Sequence, residues 1–125
     1  MLQASASSWN AGDLDGFLDD YADDPGLTFV GGGSVIRGRA EVRRRYLETY
    51  WASGSRRDSL RFRDLEIRAL GSRHALALGR YELYRPDGEI EVTGSGRFSL
   101  VLRIEDGRWS IVHDHSSSDG GQGEG

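Results

Sequence analysis

A chain of 125 residues with a formal charge of −4 is the size of one domain, and its lack of cysteine excludes disulfides, thiolate metal sites and thiol nucleophiles. The acidic balance argues against nucleic acid as a partner, because phosphate neutralisation draws on a basic surface. No apolar run approaches the roughly 20 residues needed to cross a bilayer, so no membrane partner is expected. The opening MLQASASSWNAG lacks the basic and apolar segments of a secretory signal, which makes cytoplasmic residence the expectation. All of the basic residues except histidine are arginine, a bias that a GC-rich bacterial genome explains without a binding role.

Residues before Asn10 read as a first helix, with Trp9 as its large apolar contact. Asp13 is the expected N-cap of a second helix, on which Leu14, Phe17, Leu18 and Tyr21 form one apolar stripe. Asp23-Asp24-Pro25-Gly26 is turn chemistry, and LTFV and SVIR form a short hairpin around Gly31-Gly32-Gly33. That glycine run lacks the lysine and the strand-to-helix context of a phosphate loop. From Arg39 to Trp51 the period is helical, with Val42, Tyr46, Leu47, Tyr50 and Trp51 on one side. Arg44, Arg45, Glu41 and Glu48 take the other, and Ser53-Gly54-Ser55 ends the helix.

Everything after this helix has period two. In LRFRDLEIRAL the apolar parity switches between Phe62 and Leu65, which predicts a bulge near Arg63-Asp64. HALALGRYELY is the next strand, turning at Pro86-Asp87-Gly88. In EIEVTGSGRFSLVLRI, Ile90, Val92, Phe98, Leu100, Leu102 and Ile104 share one parity, with Gly94 and Gly96 as expected bending points. Asp106-Gly107 turns into the closing strand RWSIVHDHS. Helices followed by a long antiparallel meander predict an α+β domain over residues 1–117, with helices on the concave face of a cone-like curved sheet. Residues 118–125, glycine-rich and without an apolar side chain, are the expected flexible tail.

Arg80 and Glu82 share a strand face with Leu76 and Leu78, so that face is read as the interior and Arg80 as a ligand-binding cation. Asp114 on the closing strand is the third member of this group. Its competing reading is a buried ion-pair network without catalysis. Tyr21, Tyr46 and Tyr50 are core aromatics able to present a hydroxyl to a ligand. His113 and His115 form an H-x-H pair that lacks a converging third ligand, so packing is expected and no metal or other cofactor.

AGDLDGFLDDYADDPGLTFV, RYLETYW and DGRWSIVHDHSS resemble segments of the association domain of calcium/calmodulin-dependent protein kinase II. They also resemble the SnoaL-like and ketosteroid-isomerase-like proteins of the nuclear-transport-factor-2-like (cystatin-like) superfamily. The resemblance runs from about Trp9 to Ser117 and implies the cone fold. In the kinase domain an arginine-lined pocket accepts carboxylates. By position, one of its arginines falls on Arg80 and a nearby tryptophan on Trp51, while two other arginines fall on Leu100 and Ser116. The implied function is a pocket binding a polar or carboxylate-bearing molecule through Arg80, Trp51 and Ser116, in a homodimer joined by the outer sheet face. The arrangement of Arg80 between Asp114 and Glu82 is similar to that of limonene-epoxide hydrolase, which keeps open an enzyme of hydrolase, isomerase or cyclase type. A pure oligomerisation module is the third alternative. One conflict stands: hydrophobicity turns Trp109 and Ile111 inward, whereas the resemblance turns Val112, Asp114 and Ser116 inward.

Overall fold

The structure, a computed structural model, describes residues 1–51, 58–85 and 88–119. Helix α1 (Leu2–Asn10) buries Leu2, Ser5 and Trp9 along one stripe. It is stitched to the sheet by its last residues. The Trp9 Nε1 donates to the Asp58 carbonyl at 2.9 Å, and the Asn10 side chain pairs with both backbone groups of Leu60, at 3.2 and 2.7 Å. Helix α2 (Leu14–Leu18) is capped by Asp13, whose carboxylate accepts from the Gly16 N–H. The chain then leaves the helix before Tyr21, which forms a lone bridge with Ile111 but stays in the buried stripe.

Strands β1 (Thr28–Gly31) and β2 (Ser34–Arg37) form the short hairpin, turning through Gly32 and Gly33 at φ 60° and 79°. Helix α3 (Arg39–Tyr46) runs on into a π-helical turn (Leu47–Trp51). Strands β3 (Ser59–Ala69), β4 (His74–Arg85), β5 (Glu91–Glu105) and β6 (Arg108–Ser118) complete one sheet in the order β2-β1-β6-β5-β4-β3. All pairings are antiparallel except β1 with β6. Helices on the concave face of a curved, unclosed sheet make this the expected α+β architecture. Among the described residues no helix is long and apolar enough to cross a membrane.

Bulges bend the sheet. One lies at Asp64-Leu65, where Asp64 adopts φ 55°, as the parity switch predicted. A second leaves Thr93 unpaired on β5, and a third leaves Val112 unpaired on β6. The Thr93 bulge breaks the parity that Ile90 and Val92 were read to share with Phe98, and both lie exposed. The Val112 bulge removes the conflict on the closing strand. It lets Ile111 and Asp114 face the same interior, while Trp109 stays 37% exposed near the hairpin end.

The reading of β4 is corrected. Ala75, Ala77, Gly79, Tyr81 and Leu83 face the concave side, so Leu76, Leu78, Arg80 and Glu82 face outward. The reason is steric. A Cβ on Gly79 would stand 2.7 Å from the Phe98 ring and 2.8 Å from Leu65, so this inner face admits only small residues beside Phe98. Bulk, the cue that placed the leucines inside, points the wrong way here. At the other boundary, Ser118 is the last residue of β6, and the Asp119 N–H that follows donates to the Ser95 carbonyl at 2.9 Å. Residues 120–125 of the expected tail, Ser53-Gly54-Ser55, Pro86 and Asp87 lie outside the described residues.

Candidate functional site

Between the helices and the concave sheet face lies a cavity of about 300 Å³. Its deep wall is aromatic. Trp9 meets Phe17 and Tyr50 edge-on at ring separations of 5.1 and 5.0 Å, Tyr46 stands edge-on to Phe17 at 5.2 Å, and Phe62 meets Phe98 at 5.4 Å. Such edge-to-face pairs fix ring orientation, and they let the wall hold its shape around an unfilled space.

Into this wall project the polar groups of β6. Asp114 is 4% exposed, and it lines the cavity together with Ser116 and Ser118. Its carboxylate accepts from the Tyr21 hydroxyl at 2.6 Å and from the Ser116 hydroxyl at 2.9 Å. Burial raises the Asp114 carboxyl above the ordinary carboxylate range, and those two donors only partly oppose the rise. Tyr46 lines the same wall beside Tyr21. The Tyr21 hydroxyl proton is committed to the Asp114 carboxylate. Burial, with the Asp114 charge behind it, pushes both phenols well above their usual value. They are proton donors and acceptors here, not phenolates.

At the rim, where lining residues reach solvent, stand Arg45, Thr49, Tyr81 and Ser118. The Arg45 guanidinium lies 5.8 Å from the centre of the Phe29 ring, and its Nη1 donates to the Ser34 hydroxyl at 3.5 Å. The structure therefore brings Tyr21, Tyr46, Tyr50, Asp114 and Ser116 together around one space. It does not bring Arg80 or Glu82 there. Arg80 pairs with Asp119 on the outer face, and Glu82 is held there by Arg61 at 2.7 Å and Arg63 at 3.5 Å. The expected Arg80 pocket, and its grouping with Asp114 and Glu82, is thus not formed. The Trp51 side chain lies outside the described residues.

Arg45 was read as part of the solvent side of its helix. The signal that it lines the cavity is its spacing: Val42, Arg45, Tyr46, Thr49 and Tyr50 follow i, i+3, i+4, i+7 and i+8, one continuous face. His113 turns away from the cavity and meets the Thr28 hydroxyl at 2.6 Å. Among the described residues no cluster of three metal-ligating side chains occurs.

The family described as SnoaL-like domain matches residues 1–119. The chain belongs to the SnoaL-like domain family. Among solved structures, this SnoaL-like domain is similar to an NTF-2-like protein from Shewanella oneidensis. The two share 30% identity over 93% of this chain and 92% of that one, with a TM-score of 0.79. It shares the fold of a Thiobacillus denitrificans protein named after the calcium/calmodulin-dependent protein kinase type II association domain (20% identity, 93% and 90% covered, TM-score 0.75). It also shares that of a ketosteroid isomerase-like protein from Erwinia carotovora atroseptica (18% identity, 94% and 90% covered, TM-score 0.72). No curated protein matches the chain.

Proposed function

We propose that this SnoaL-like domain binds a small ring-containing molecule that sets an oxygen function against Asp114 and an acidic group against Arg45. The observation that carries this reading is one buried carboxyl, hydrogen-bonded to Tyr21, in the wall of a cavity whose lining is mostly aromatic and aliphatic, with a few hydroxyls and Arg45. Pockets that hold small molecules have this composition: apolar walls with a few convergent polar groups. The cavity is at the small end of the usual range, which favours ligands of one or two rings. Arg45 takes the role first expected of Arg80. Its planar fork suits a carboxylate, and Phe29 orients it.

Thermal-shift titration with 4-hydroxybenzoate, 2-naphthoate and their uncharged methyl esters tests this. The acids should raise the melting temperature more than the esters, and Arg45→Ala should remove that preference. Failure of every ring compound to stabilise the protein would overturn the reading.

Catalysis is a second reading, favoured by a buried Asp114 carboxyl that meets the Tyr21 phenol at 2.6 Å and is shifted upward by its burial. A carboxyl moved toward neutrality is suited to exchanging protons with a bound molecule. The scheme with two carboxylates is not carried forward, because Glu82 lies on the other face of the sheet. With a turned-over ligand in hand, Asp114→Asn should keep binding and lose turnover. A cytoplasmic homodimer joined by the outer sheet face, where Leu78 is 38% exposed, completes the proposal. Light scattering that returns a monomer mass would remove that part. A vestigial pocket in a pure assembly module fits less well, since Tyr46 leaves the cavity open.

A further inference from the structure

Arg80 does not reach the cavity, yet its ion pair holds part of the cavity's rim. Its Nη2 pairs with the Asp119 carboxylate, which also accepts from the Ser95 hydroxyl at 2.9 Å. The Asp119 N–H donates to the Ser95 carbonyl at 2.9 Å. These contacts join the end of β6 to β4 and β5 from the outer face. Immediately before Asp119, Ser118 lines the cavity, and Ser116 lines it while donating to Asp114. Gly96 allows the join. A Cβ there would stand 2.0 Å from the Ser117 carbonyl and 2.6 Å from the Tyr81 hydroxyl, and Tyr81 is itself a rim residue. The four residues Ser116–Asp119 thus serve two sites: Ser116 and Ser118 face the cavity, and Asp119 forms the latch.

We propose that Arg80 is a positioning residue: through Asp119 and Ser95 it fixes the end of β6, and so controls how fast a ligand enters and leaves the cavity. The inference rests on the cavity being a binding site, as argued above. Arg80 itself does not touch the ligand. With the latch open, the end of β6 peels from Gly96, the rim between Tyr81 and Ser118 widens, and Ser116 loosens its hold on Asp114. Equilibrium affinity then changes less than the exchange rates, because the deep wall is unaltered.

The experiment compares the full chain with Arg80→Ala, Arg80→Lys and the charge swap Arg80→Asp with Asp119→Arg. Amide hydrogen exchange at Ser116–Asp119 is measured without ligand, and 2-naphthoate dissociation is followed by stopped-flow tryptophan fluorescence. In Arg80→Ala the β6 end should lose protection, and dissociation should speed up about two- to fivefold, the range that a part-exposed ion pair represents. Arg80→Lys and the charge swap should restore both. Unchanged exchange at Ser116–Asp119 would overturn the latch whether or not any ligand binds. Lost protection with an unaltered dissociation rate would overturn the control of the rim. Wild-type protein that binds no ring compound at all would overturn the pocket reading, and the proposed control with it.

Discussion

Tyr21 and Asp114 lie 93 residues apart in the chain and 2.6 Å apart in the fold, joined by a buried hydrogen bond from phenol to carboxylate. The bond ties the segment after α2 to the closing strand at a buried polar point of the cavity wall. Tyr21→Phe would leave Asp114 with Ser116 as its remaining side-chain donor. An under-satisfied buried acceptor costs about 1–3 kcal/mol, and urea denaturation at pH 7 should find a loss of that size. The Asp114 carboxyl should also move further up, because the Tyr21 bond is among the influences now holding it down. Carboxyl-carbon NMR titration of wild type and variant checks the direction.

Asp114→Asn isolates the cost of the buried charge. The folded-state carboxyl titrates above its unfolded value, so below both values it contributes nothing to the pH dependence. As pH rises past the unfolded value, the unfolded chain sheds a proton that the folded protein retains, and stability falls until the raised folded value is passed. Wild-type stability should therefore decline across that window relative to Asp114→Asn. Denaturation curves for both proteins from pH 3.5 to 8 test the sign. A difference independent of pH would mean that Asp114 titrates normally.

The cone fold was legible because its signals are local: the Leu14–Tyr21 stripe, the Asp-Gly turn at Asp106 and the parity of Phe98, Leu100 and Leu102. The bulge at Asp64 was legible for the same reason, since a parity switch sits in the strand itself. The face of β4 was not. Two apolar faces competed there, one of leucines and one of alanine and glycine. The choice was made by Phe98, a residue on a neighbouring strand with no local signal in β4. The Val112 bulge showed in the sequence only as a conflict between two faces, because Ile111 and Val112 are adjacent apolar residues and nothing local says which one leaves the ladder. Both features moved candidate site residues: one took Arg80 and Glu82 out of the cavity, the other allowed Ile111 and Asp114 in together.

Glu82 gives a control for that reassignment. Arg61, bonded to its carboxylate, holds it below the usual range against the opposing effect of burial. With the folded value depressed, the pairing stabilises the protein above the unfolded value and is lost as pH falls through the folded one. Glu82→Gln should cost about 1 kcal/mol or less at pH 7, given the partial exposure of Arg61 and Arg63. The variant should bind aromatic acids as wild type does. A fall in affinity, read by calorimetry, would return Glu82 to the pocket.

Gly94 and Gly96 were both read as bending points of β5, and the structure separates them. The unpaired residue that bends the strand is Thr93, beside Gly94, where an added Cβ would find its closest neighbour, the Leu83 Cδ1, at an ordinary 3.7 Å. At Gly96 the added Cβ would meet a backbone carbonyl, which cannot swing aside as a side chain can. Gly94→Ala should therefore be within about 0.5 kcal/mol of wild type. Gly96→Ala should lose about 1–3 kcal/mol as the end of β6 is pushed away. Chemical denaturation of the pair gives the comparison, and amide exchange locates the damage. Equal effects would show that both glycines serve curvature; a selective loss at Gly96, with faster exchange at Ser117 and Ser118, ties that position to the close approach of β6 at the cavity rim.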